Sequence, residues 1–116
     1  MKSSTKLRDE IVKAKARARE ARRLEYLGRV MSVLDRFSVH RCFDEAFVFG
    51  SVAREGGFDG ASDIDIAFSG LRDEDVIMAT AYLSNELGVD VDVVRLEGHR
   101  FADKIRTGGV KWKKRK

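Results

Sequence analysis

The chain has 116 residues, 43% of them hydrophobic and 36% charged, which supplies one compact core with a solvated surface, makes a single domain the expectation for these residues and excludes a disordered polymer. No apolar run approaches the ~20 residues of a membrane helix, and the basic first segment is not followed by the apolar stretch of a secretory signal, so a cytoplasmic protein with no membrane partner is expected. The formal net charge of +4 conceals a segregation: residues 1–29 sum to +6, residues 30–98 to −9 and residues 99–116 to +7, so two basic ends flank an acidic middle.

In chain order, Ser3, Ser4 and Thr5 can cap a helix starting near Lys6. Its first half carries Leu7, Ile11, Ala14, Ala18 and Ala21 at steps of three and four, a mostly alanine stripe that can bury little surface. From Leu24 the face broadens through Leu27, Val30, Met31, Val33, Leu34 and Phe37, as expected of a helix packed on a sheet. Gly28 interrupts it at ~1 kcal/mol relative to alanine, which allows a bend there. Residues 38–44 read as a connection, Glu45-Ala46-Phe47-Val48-Phe49 as a central strand, and 54–61, with three glycines, as a loop. Asp63 to Phe68 alternates as a second strand, with Ile64, Ile66 and Phe68 on one face and Asp63 and Asp65 on the other. Asp73-Glu74-Asp75 opens a helix running to Gly88, Val89 to Arg95 alternates as a third strand, and His99 to Ile105 reads as a short helix before Gly108-Gly109 and a basic tail. The lone cysteine, Cys42, excludes an intrachain disulfide and a zinc site and is expected to be an ordinary buried thiol. His40 and His99 are expected to be surface or capping residues outside any site.

Three segments carry the chemistry: Gly50-Ser51-Val52-Ala53-Arg54, Ser62-Asp63-Ile64-Asp65 and Val91-Asp92-Val93-Val94. Asp63 and Asp65 project from one strand face ~6.6 Å apart at ~3.3 Å per residue, within reach of one cation. Two carboxylates ~5 Å apart repel by ~3 kcal/mol at an effective dielectric of 20, and the strand carries no lysine or arginine to offset this, so a cation between them is expected. An all-oxygen donor set favours Mg2+, which binds through few carboxylates together with waters and substrate phosphates. Gly50 lets the backbone approach a phosphate closely, and the following amides and the Ser51 hydroxyl can donate to its oxygens. Asp92, on a neighbouring strand, would hold a second ion or take the proton of an attacking hydroxyl. Asp90 shares its face and is the competing candidate.

With these motifs in this order, the sequence resembles the minimal nucleotidyltransferase branch of the DNA polymerase beta superfamily over residues 24–112. The resemblance implies an α/β (α+β) fold, a small mixed sheet of three to four strands with helices packed on one face. It divides the chain into a basic helical extension (1–23), the nucleotidyltransferase domain (24–112) and a basic tail (113–116). It implies that Gly50, Ser51, Arg54 and Ser62 bind the nucleotide, and that Asp63, Asp65 and Asp92 are the catalytic and metal-binding carboxylates, with two Mg2+ ions. Glu55 stands where the family places a glycine, with Gly56 taking that role. The activity implied is transfer of AMP from ATP to an acceptor hydroxyl. Many relatives are antitoxins that adenylylate a tyrosine of an all-helical HEPN toxin, and that partner is the expected acceptor. The alternatives are a nucleotidyltransferase-fold module that masks its partner without turnover, and a nucleic-acid-binding protein acting through the basic termini, with Trp112 stacking among the lysines of the tail.

Overall fold

The structure, a computed structural model, describes residues 2–54 and 63–113. A long helix, α1 (Lys2–His40), leads into β1 (Glu45–Phe49), a single 3-10 turn (Ser51–Ala53), β2 (Ile64–Ser69), a second 3-10 turn (Asp73–Asp75), α2 (Val76–Leu87), β3 (Val91–Arg95), α3 (Ala102–Gly108) and β4 (Val110–Lys113). The four strands form one mixed sheet of order β3-β2-β1-β4. β1 runs antiparallel to β2 and β4, while β2 and β3, joined through α2, are parallel, as a helical crossover requires. α2 ends where Gly88 adopts the left-handed conformation at φ 71°, the expected use of a glycine past a last helical turn.

The two-residue period of the strands decides what each face does. Ala46, Val48, Ile64, Ile66, Phe68, Val91 and Trp112 turn toward α1 and α2 and form the main core with Val30, Val33, Leu34, Phe37 and Leu83. Phe47 and Ala67 turn the other way, where Leu96 and Ile105 close a smaller cluster beneath α3. The two long helices therefore cover one face, and the short α3 covers part of the face that carries Asp65 and Asp92.

α1 is unbroken at Gly28. Its buried apolar stripe begins at Leu27, whereas Leu24, expected to open that stripe, is 56% exposed. Residues 5–19 are exposed throughout, because the alanine-rich stripe lies beyond anything it could pack on. At ~1.5 Å per residue a helix of this length reaches ~58 Å, and the molecule measures 61 × 27 × 26 Å.

Two other expectations are corrected. Cys42 is exposed, because the connection after α1 buries its neighbour Phe43, whose ring lies 5.7 Å from Phe37 and 4.8 Å from Phe68. Trp112 is no stacking platform in a tail: it belongs to the edge strand β4, is only 3% exposed, lies 4.8 Å from Phe43, and its indole N–H donates to Asp35 Oδ1 at 2.7 Å. Both the apolar ring and its polar handle are thus used internally. Glu45 of β1 further accepts from Lys111 Nζ of β4 at 2.6 Å and from Arg106 Nη1 of α3 at 3.2 Å.

Candidate active site

β2 begins one residue later than the alternation suggested, leaving Asp63 exposed just ahead of the strand and Asp65 part-buried as its second residue. In register, Asp65 stands beside Phe49 of β1 on one side and Asp92 of β3 on the other. Neighbouring strands are ~4.8 Å apart, so the carboxylates of Asp65 and Asp92 project from the same face as direct neighbours. Burial pushes the Asp65 carboxyl above its ordinary range, and the negative charges of Asp92 and Asp63 push it further. Both of the other sequence-derived carboxylates therefore act on Asp65. Asp90 lies two residues earlier, exposed, and its carbonyl accepts from the Ile64 amide at 3.1 Å; Asp92, not Asp90, is level with Asp65.

Gly50 closes the site on the β1 side. It adopts φ 82°, ψ −155°, a conformation open essentially to glycine alone, and a Cβ at this position would collide with the Asp65 carboxylate. The turn expected to cradle phosphate is therefore in direct contact with the central carboxylate. Beyond Gly50 the chain makes one 3-10 turn and does not start a longer helix, with Ala53 N–H donating to Gly50 O and Arg54 N–H to Ser51 O, each at 3.2 Å. Among the described residues, no backbone carbonyl accepts from the amides of Ser51 or Val52, as expected at the opening of such a turn. Val52 is buried and anchors the turn to the core. Arg54 is exposed at its end. Ser62, Glu55 and Gly56 lie outside the described residues.

Sequence reasoning missed two contributors. Arg23, counted within the basic extension, is 8% exposed; its Nη1 donates to the Val52 carbonyl at 3.1 Å while its Nε and Nη2 pair with Glu20 at 2.9 and 2.5 Å. It braces the turn after β1 from α1. The Glu20–Arg23 spacing could have flagged a helical ion pair, but a contact across 29 residues has no local signal. The second is the segment from His99 to Lys104, which borders a groove next to Gly50.

Among the described residues, no three histidine, cysteine or acidic side chains are arranged closely enough to hold a metal ion by themselves. The donor set still suits a hard divalent cation: two adjacent carboxylates and a third two residues away, with no cationic side chain paired to them among the described residues. Mg2+ characteristically completes its octahedron with waters and substrate phosphates in place of a protein cage.

No protein-family model and no curated protein matches the chain. Solved structures do. One is a crystal structure of a toxin-antitoxin with AMP-PNP, at 22% identity and TM-score 0.61, covering 74% of this chain and 74% of that one. Another is the structure of a protein assigned as a minimal nucleotidyltransferase, at 26% identity and TM-score 0.57, covering 76% of this chain and 93% of that one. The mixed four-stranded sheet with its helices is thus a nucleotidyltransferase fold. Within that class, the fold is shared with a structure assigned as a minimal nucleotidyltransferase. Among the described residues, no helix is long and apolar enough to cross a membrane.

Proposed function

We propose that the chain transfers a nucleoside monophosphate, AMP from ATP, to a hydroxyl of a protein partner, and that it acts as the antitoxin of a pair whose toxin is a HEPN-type helical protein modified on a tyrosine. The observation that carries the chemistry is the contact of Gly50 with Asp65, flanked in register by Asp92. It sets phosphate-facing amides against clustered carboxylates. The toxin-antitoxin structure with AMP-PNP, an ATP analogue, supports the setting and the nucleotide.

In this reading residues 24–112 form the transferase, residues 1–23 a basic extension whose last turn braces the site through Arg23, and residues 113–116 a basic tail. The Ser51 and Val52 amides and the Ser51 hydroxyl hold non-bridging phosphate oxygens, with Arg54 and Ser62 beside them. Asp63, Asp65 and Asp92 would hold two Mg2+ ions, which supply charge neutralisation at the triphosphate and acidify the attacking hydroxyl. The acceptor oxygen attacks the α-phosphorus in line; its bond to phosphorus forms as the bond to the β-phosphate oxygen breaks, and pyrophosphate leaves. Asp92, the most exposed of the carboxylates within the sheet, is placed to receive the acceptor's proton.

The test is incubation with ATP labelled at the α-phosphate, Mg2+ and the product of the neighbouring gene. Label should appear in that protein, on tyrosine, and be lost with Asp63→Asn, whose exposed position leaves the fold intact. Tight association without transfer would instead establish the masking module.

A further inference from the structure

Beside the phosphate turn, on the α3 side, runs a groove of about 530 Å³ bordered by Phe49, Gly50, Arg54, His99, Phe101 and Lys104. We propose that this groove receives the nucleobase of the triphosphate, stacked on the Phe101 ring; the inference rests on the transferase reading and deepens it.

Four observations converge. First, Phe101 is 48% exposed, and cations and an imidazole stand near its ring: the Arg100 guanidinium lies 5.0 Å and the Lys104 ammonium 5.8 Å from the ring centre, and the His99 ring stands 6.1 Å away. An exposed aromatic face among cations is the arrangement that holds a flat base while tolerating its attached phosphates. Second, small residues open the groove. Gly50, Ala53, Gly108 and Gly109 border it, and a Cβ on Gly108 would meet no atom within 4 Å. Third, Gly50 belongs both to this groove and to the contact with Asp65, so one nucleotide can span them, phosphates at the turn and base beyond it. Fourth, the Phe101 amide donates to His99 Nδ1 at 3.1 Å. That bond requires an unprotonated Nδ1 and leaves the Nε2 of a neutral ring as a donor for a base nitrogen or carbonyl. The groove volume falls within the range of sites for small ligands.

The experiment separates base from phosphate by titrating the protein in Mg2+ with ATP and, separately, with inorganic tripolyphosphate, which has phosphates and no base. Wild type should bind ATP more tightly than tripolyphosphate. Phe101→Ala should weaken ATP roughly 5- to 150-fold, the range for loss of one base stack, and leave tripolyphosphate within about two-fold; Phe101→Trp should retain ATP. Gly108→Leu, which fills the groove without touching the turn, should also weaken ATP selectively. If Phe101→Ala and Gly108→Leu leave ATP unchanged, or weaken both ligands equally, the base does not lie in this groove, while the transferase reading stands on the binding of tripolyphosphate. If wild type binds neither ligand, both readings fall.

Discussion

The cluster of carboxylates makes a prediction about stability as well as chemistry: Asp65→Asn should stabilise the protein in the absence of divalent cations. Asp65 stands next to Asp92 across a strand spacing of ~4.8 Å and two residues, or ~6.6 Å, from Asp63, and both neighbours raise the energy of its ionised form. Asp63 and Asp92 are exposed, so their repulsion is screened largely by water. At a dielectric near 80 the two terms are ~0.8 and ~0.6 kcal/mol, and desolvation of the part-buried Asp65 adds to them, for ~1–2 kcal/mol in total. In a domain of this size that corresponds to an increase in Tm of roughly 5–10 °C. The direction with pH comes from the raised carboxyl. Because the folded state holds its proton more tightly than the unfolded chain, the wild type gains stability from this group as pH falls through the raised value, and the advantage of the asparagine variant shrinks accordingly. Thermal unfolding at pH 7 in low salt without divalents, repeated at 0.5 M salt and at pH 4, reads all three effects. A variant less stable than wild type, or a gain indifferent to salt and pH, would refute this reasoning.

Gly50→Ala should cost ~1–3 kcal/mol from the backbone conformation alone, more if the Asp65 carboxylate cannot move aside, and should abolish nucleotide binding; denaturant titration and calorimetry check the two halves. Glu45→Gln removes the ion pairs to Lys111 and Arg106, whose hydrogen bonds hold the Glu45 carboxyl below its ordinary range. This stabilisation is present above the unfolded carboxyl value and is lost as pH falls through the lowered one, so the variant should be destabilised by up to ~1 kcal/mol at pH 7 and progressively less in acid, as urea midpoints across pH would show. Removing residues 1–19, which are exposed wherever their side chains are described, should shift the urea midpoint by the equivalent of less than ~0.5 kcal/mol while lowering helical ellipticity. A large loss of stability would mean that the projecting helix supports the core.

The strands that carry the carboxylates were legible because their apolar residues alternate and the two faces differ sharply: Ile64, Ile66 and Phe68 go to the core, leaving Asp65 on the opposite side. The ordered Gly-Ser, Asp-x-Asp and Val-Asp segments were legible because a glycine-permitted turn and unpaired acids are local features. Their meeting depended on register, which the structure supplies. β4 was hidden because Val110-Lys111-Trp112-Lys113 alternates over only four residues and its lysines read as a tail. What buries Trp112 is its place beside β1 and its bond to Asp35 on α1, 77 residues away. Arg23 and the Phe101 groove escaped for the same reason. An exposed-looking arginine and an isolated Phe in a basic stretch acquire their roles only when α1 and α3 are brought to the two sides of the Gly50 turn.

Whether a divalent ion and a nucleotide meet at Asp65 and Asp92 can be read by titrating Mn2+ with ATP into isotopically labelled protein and following paramagnetic broadening residue by residue. The amides of Gly50, Ser51, Asp65 and Asp92 should broaden first and together, and Asp65→Asn should remove the effect. Broadening centred elsewhere, for instance at the acidic turn of residues 73–75, or none at Asp65 and Asp92, would contradict it.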